Sequence, residues 1–109
     1  MKLRVYIACP YTLVNQNRYV RNSIHAAELV VKLGGLPFIP LLNHFWDMVC
    51  PHPYDFWLNY SIKWLEVCHI FFRIPGESKG ADIEEEIAKR HGLTICRTVE
   101  ELEKALNVR

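Results

Sequence analysis

The sequence has little that would tie it to a polymer or a bilayer. Formal net charge is only +1 over 109 residues, so no basic footprint for a nucleic acid polymer or an anionic membrane is implied. No apolar run approaches the roughly 20 residues of a membrane span. The apolar part of "MKLRVYIACPYT" is too short for a secretory leader. There is no repeat, linker or low-complexity segment. The four cysteines, Cys9, Cys50, Cys68 and Cys96, are widely spaced and form no CxxC. They read as reduced thiols of a cytoplasmic protein, with Cys9, Cys68 and Cys96 buried in strands. "CPH" (Cys50, His52) and "CH" (Cys68, His69) lack a zinc spacing, and neighbours on a strand point to opposite faces. No metal and no other cofactor is expected. Cys9 sits at a strand end, but no histidine partner can be named for it, which argues against a thiol nucleophile. The sequon "NYS" at Asn59 to Ser61 has no meaning in such a compartment.

What is present is a rich apolar complement. Half of the residues are hydrophobic, including three Trp, five Tyr and five Phe. That supports one packed domain over residues 1–109 and is too little chain for two. "LRVYIAC" is an almost continuously apolar, β-rich run, as a strand buried on both faces should be. A helical period follows from about Asn17 to Leu33, with Val20, Ile24, Ala27 and Val31 on one face, and Gly34 and Gly35 end it. "LPFIPLL" is a second short strand. "NHFWDMVCPHP" (Asn43 to Pro53) reads as an aromatic, His-rich loop. A helix fits Tyr54 to Val67, with Phe56, Tyr60 and Trp64 on one face and Trp57 and Leu65 beside them. "CHIFFRI" is a third strand, "PGESKG" a turn, Gly80 to His91 a helix, and "LTIC" a fourth strand. "TVEELEKAL" opens with a capping box, Thr98 with Glu101. Strands alternating with helices imply an α/β fold in three layers. Its centre is a doubly wound parallel sheet of four to five strands, flavodoxin- or Rossmann-like.

In such a fold ligands bind beyond the carboxyl ends of the strands. The loops there carry the polar and aromatic candidates. The first loop and the helix after it supply Cys9, Pro10, Tyr11 and Asn22, although asparagines there also serve as turn and cap residues. The aromatic loop supplies His44, Trp46 and Asp47, which suit a planar ring. A satellite hydrophobic cluster is the competing reading. The third loop, with Gly76, Ser78 and Gly80, opens a helix whose free N–H groups and dipole suit a phosphate. It is neither a Walker motif nor a GxGxxG, and a helix cap explains it equally well. If Ile83 and Ile87 face the sheet, Glu84 shares a flank with the small Ala88, while Glu85 and Glu86 are solvated.

Taken together, "VYIACPY", "GGLPFIPL" and "RIPGESKGADIEEEIAKRHGLTI" resemble the nucleoside 2-deoxyribosyltransferase-like superfamily over most of the chain. The spacing of Ser78, Gly80, Glu84 and Ala88 carries the resemblance. It is closest to small members whose strand ends in a Pro-Gly-x-Ser turn. Deoxynucleoside-monophosphate N-glycosidases are more distant relatives. The resemblance implies attack of the Glu84 carboxylate on the anomeric carbon of a nucleoside or nucleoside 5′-monophosphate, with loss of the base. It implies that Tyr6 positions that carboxylate, and that Ser78 and the Gly80 loop hold a 5′-phosphate. Two acids usual in active members are missing, with Ser61 and His69 near their places. Asp55 is the preferred substitute and Asp47 the other. Two readings follow: an N-glycosidase or deoxyribosyltransferase, or a catalytically silent nucleotide- or sugar-phosphate-binding module. Either is expected to be a homo-oligomer, dimer or tetramer, in contact through the Trp46 to Trp57 region.

Overall fold

The computed structural model describes residues 2–10 and 16–107. Tyr11, expected to contact ligand, lies outside them. Strands β1 (Arg4–Ala8), β2 (Leu36–Phe38), β3 (Ile70–Arg73) and β4 (Thr94–Cys96) form one parallel sheet in the order β2-β1-β3-β4. Between and after them run α1 (Gln16–Lys32), α2 (Asn43–Val49), α3 (Tyr54–Val67), α4 (Lys79–Arg90) and α5 (Val99–Asn107). The chain leaves β1 for β2 on one side and returns to β3 on the other. The strand order therefore reverses between β1 and β3, and the crevice beyond their carboxyl ends is the binding place such sheets offer.

The alternation of strand side chains builds two cores. Val5, Ile7, Ile70, Phe72 and Cys96 pack against Ala27 and Val30 of α1 and Leu102 and Leu106 of α5. Tyr6, Ala8 and Phe71 face the other way, against Leu65 of α3 and Ala81 and Ala88 of α4. Parallel register sets Phe38, Tyr6, Phe71 and Ile95 side by side across the sheet on that second face. The Tyr6 ring stacks on Phe71 at 5.7 Å and tilts against Phe38 at 5.6 Å. Burial of each such side chain contributes about 1.5–3 kcal/mol.

Two helices turn faces to the sheet other than those their largest apolar residues suggest. On α1 the buried stripe is Ser23, Ala27 and Val30, and Val31 is 54% exposed. On α4 it is Ala81, Glu85 and Ala88, and Ile83 is exposed. In both cases small side chains let the helix axis approach the sheet, and close packing rewards that approach over the burial of one more branched residue. The polar members of the stripes are satisfied. Ser23 donates to the Val20 carbonyl at 2.9 Å, and Glu85 is ion-paired. Glu85, expected in solvent, is thus only 6% exposed.

The stretch after β2 also differs from its expected form. It is not a loop: a 3-10 turn (Pro40–Leu42) runs directly into α2. Leu41 to Met48 contains no glycine or proline to break a helix. The helix stops at Cys50, just before Pro51. Helix α4 has the expected cap, Ser78 Oγ accepting from the Ala81 N–H at 3.1 Å. At α5, Thr98 accepts from the Glu101 N–H, but Glu101 reaches back to the Arg97 N–H and not to that of Thr98. Cys68 and Cys96 are buried as expected, although Cys68 ends α3 and is not in a strand. Cys9 is only half-buried.

Candidate functional site

A cleft of about 270 Å³ opens beyond the carboxyl end of β1. Its lining comes from four places in the chain: Cys9 after β1, then Pro40, Leu41, Asn43, His44 and Asp47 around α2, Trp57 and Ser61 of α3, and Glu84 of α4. Trp57 and Ser61 are four residues apart on α3, so they lie one above the other on the same face. Leu65, four further on, continues that stripe into the core. Glu84 lies in the second turn of α4, between buried Ala81 and Ala88. The small alanines bring this stretch of helix close over the sheet, where Tyr6 reaches it.

The central contact is a hydrogen bond from the Tyr6 hydroxyl to Glu84 Oε2 at 2.5 Å. Ser61 lines the cleft beside Glu84, and its hydroxyl favours the ionised form of that side chain. Burial raises the Glu84 carboxyl above the usual range, while the bonds from Tyr6 and Ser61 and the Arg73 charge favour its ionised form. The Tyr6 phenol is pushed well above its ordinary value, first by burial and then by the Glu84 charge. It therefore keeps its proton and remains a donor. The result is a carboxyl group held by the Tyr6 hydroxyl with Ser61 beside it, half out of water and open to the cleft.

Across the cleft stands Asp47. Its Oδ1 accepts from the His52 backbone N–H at 2.8 Å and from the Trp57 indole at 2.7 Å. The His52 bond first, then the indole, lowers its carboxyl, so Asp47 is an anion at neutral pH. Around it Trp46, His52, Phe56, Trp57 and Tyr60 form a ring cluster, with His52 stacked on Phe56 at 3.8 Å. Gln16 Nε2 lies 2.7 Å from His44 Nε2 on the adjacent wall.

Beside this lies a buried ionic knot. Arg73, 8% exposed at the end of β3, donates to Asp82 at 2.6 Å, to Glu85 at 3.4 Å and to the Gly76 carbonyl at 3.1 Å. Arg97 and Lys89 also pair with Glu85. The knot ties the turn after β3 to the first two turns of α4, which carry Glu84. Under the turn, Pro10 packs so close to Gly76 that an added Cβ would fall 2.6 Å from its Cγ, and Gly76 has φ +137°.

Of the residues expected to form a site, Tyr6 and Glu84 meet, and Cys9, His44 and Asp47 share the cleft with Glu84. Pro10 is buried against Gly76 and does not line it. Trp46 stands behind it, edge-on to Trp57. Asn22 lies on the exposed side of α1, in a hollow with Asn17, Arg18, Arg21 and His25. Gly76 and Ser78 line a separate hollow with Arg73, Glu77, Lys79 and Asp82, and Gly80 is in the first turn of α4. Asp55 is exposed in the first turn of α3 and is not among the cleft residues. Position Asp55 lies two residues before Trp57, about 200° round the helix from the cleft face. His69 is at the wrong end of the sheet: its Nδ1 accepts from the Arg4 N–H at 2.9 Å, at the start of β1. Trp57 and Arg73 are not among the residues the sequence points to, and Ser61 figures there only in the place of a missing acid. The i, i+4, i+8 stripe Trp57–Ser61–Leu65 is the signal that could have found two of them. Among the described residues no cluster of three or more His, Cys, Asp or Glu is placed to hold a metal. No described helix is long and apolar enough to cross a membrane.

No protein-family model and no curated protein matches the sequence. Among solved structures, the chain is similar to a 2-deoxyribosyltransferase from Bacillus psychrosaccharolyticus, with a TM-score of 0.65 at 18% identity. The similarity covers 84% of this chain and 69% of that one. The chain has a nucleoside 2-deoxyribosyltransferase-like fold. That neighbour is described as a biocatalyst for the synthesis of nucleosides. In a nucleoside 2-deoxyribosyltransferase-like fold, the Tyr6–Glu84 pair occupies the crevice where the strand order reverses.

Proposed function

We propose that the protein cleaves the N-glycosidic bond of a nucleoside or nucleoside 5′-monophosphate, as a hydrolase or a deoxyribosyltransferase. The observation that carries this reading is Glu84, a carboxylate buried except toward the cleft and fixed by the Tyr6 hydroxyl. Its oxygen attacks the anomeric carbon, and the bond to the base breaks with its electron pair on the base nitrogen. The base takes a proton from water in the cleft. Water or a second base then displaces the carboxylate from the sugar. Tyr6 and Ser61 hold the attacking oxygen in line and stay protonated throughout. Trp57 offers an aromatic wall to the base. Position favours Asp47 over Asp55 as the acid residue that assists, by accepting hydrogen bonds from base or sugar.

A second reading, a silent nucleotide-binding module, is favoured by one observation. Asp47, the other carboxyl of the cleft, is held ionised and has no proton to give a leaving base. Base release from a panel of nucleosides and 5′-monophosphates, with and without an acceptor base, separates the two. Release that disappears in Glu84→Ala supports the enzyme. Ligand-induced stabilisation with no release supports the silent module. Assembly into a homo-oligomer is part of the same proposal, with Phe45, Trp46, Met48 and Val49 exposed on α2 as its contact. A monomer in light scattering at micromolar concentration would exclude it.

A further inference from the structure

Glu84 can attack in line only if helix α4 keeps one rotation on the sheet. The Tyr6 hydroxyl holds the end of the Glu84 side chain and not the helix. The Ser78 cap accepts from Ala81 of the same helix, so it closes the first turn without tying it to a strand. Ala81 and Ala88 set how close α4 comes to the sheet, but a methyl group is a poor stop against rotation about the axis. Arg73 supplies the stop. It is the last residue of β3, paired with Ala8 of β1, and is 8% exposed. Strand alternation puts it on the same face as Phe71, toward α4. Its guanidinium donates through Nη2 to the Gly76 carbonyl at 3.1 Å, and through Nη1 to Asp82 at 2.6 Å and Glu85 at 3.4 Å. One rigid plane thus grips the turn and the first two turns of α4, and the two acids it grips bracket Glu84 in the chain.

The end of a side chain lies about 5–6 Å from its helix axis, so turning α4 by about 10° would carry the Glu84 carboxylate through about 1 Å. A displacement of about 1 Å at a reacting atom can cost about a hundredfold in rate. Directional bonds from a planar fork resist such a turn. Stability alone does not account for the arginine, because well-packed apolar residues in place of a buried ion pair are often neutral or stabilising. What the arginine adds is direction.

We infer that Arg73 is a positioning residue for Glu84, holding the carboxylate in line through α4 from outside the cleft. The inference rests on the N-glycosidase reading, with Glu84 as the attacking group, and adds to it a residue that touches neither sugar nor base. Arg73 is not among the residues that line the cleft. Its charge works in the same direction as its geometry: with the Tyr6 and Ser61 hydroxyls it favours the ionised carboxyl against the effect of burial. Lysine is no substitute, since an ammonium group keeps the charge but has no planar fork to join three places at once.

The test compares the wild type with Arg73→Lys and with the double variant Arg73→Met, Glu85→Met, in base release and in urea unfolding. Arg73→Lys should lose about tenfold or more in kcat with KM within about twofold of wild type, because the walls that bind substrate are untouched. The double variant should regain stability and not kcat, and it carries the test if Arg73→Lys folds poorly. A third arm is independent of activity. Above the raised Glu84 pKa, Tyr6→Phe should cost less than about half as much stability in either Arg73 background as in the wild type, because a displaced carboxylate no longer meets the hydroxyl. A wild-type kcat in Arg73→Lys, or a kcat that returns with stability in the double variant, would overturn the inference. So would a Tyr6→Phe cost that the Arg73 variants leave unchanged. If the wild type releases no base from any nucleoside or 5′-monophosphate, the N-glycosidase reading fails by itself, and the unfolding arm still decides whether Arg73 places Glu84.

Discussion

Replacing Tyr6 with Phe isolates the contact on which the functional reading depends. The ring is wholly buried between Phe38 and Phe71 and is kept by the substitution, so the core is preserved. Only the hydroxyl bonded to Glu84 is lost. A hydrogen bond to a charged group contributes about 1.5–3 kcal/mol, and one to a neutral group about 0.5–1.5 kcal/mol. The cost of Tyr6→Phe should therefore be about 1–1.5 kcal/mol greater at pH values above the raised Glu84 pKa, where the carboxyl is ionised, than at pH values below it, where it is protonated. The sign follows from the raised Glu84 carboxyl. A carboxyl raised by folding contributes stability that is complete below its unfolded pKa and is lost as pH rises through the folded one. Tyr6 limits that loss by binding the ionised form better, and without it the loss is larger. Urea unfolding of both proteins across this range gives the double difference, from which Asp47 and the other carboxyls cancel. A cost that is the same at both ends of the range would mean that Tyr6 does not hold the Glu84 carboxylate, and the mechanism would lose its nucleophile.

Glu84→Gln should raise the melting temperature at pH values above the raised Glu84 pKa while abolishing base release, because it removes a buried charge and leaves an acceptor for Tyr6. Calorimetry and the release assay on the same preparation check both halves. Arg73→Met should cost about 3 kcal/mol in urea unfolding, since it leaves Glu85 with partners on one side only. The double variant Arg73→Met, Glu85→Met should recover most of that loss. Gly76→Ala should destabilise by about 1–3 kcal/mol through its positive φ and its collision with Pro10. A melting temperature within experimental error of wild type would show that the turn yields more easily than its packing implies.

Apart from α2, which reads as a loop, the order of strands and helices was legible in the sequence because each signal is local. The apolar run of β1, the periodic stretch of α1, the Ser78 cap and the glycines after α1 and α4 act within a few residues of themselves. Tyr6 and Glu84 were legible as a pair only through what the family resemblance implies, the resemblance being carried by the Ser78–Gly80–Glu84–Ala88 spacing. Faces and partners were not, because they depend on what approaches. Glu85 looks like solvent-exposed helix until Arg73 of β3, Arg97 just after β4 and Lys89 of the next turn of α4 arrive to neutralise it. Asp55 and Asp47 are equivalent as letters. Only the packing of α2 against α3 puts Asp47 in the cleft beneath the Trp57 indole and leaves Asp55 outside it. His69 stands just before β3, yet parallel pairing with β1 puts that end of the strand away from the cleft. By itself the sequence determined a parallel α/β sheet with a carboxylate near its switch point. Tertiary structure decided which carboxylates are buried, which are charged, and which face one another, since desolvation and Coulomb interactions depend on neighbours distant in the chain.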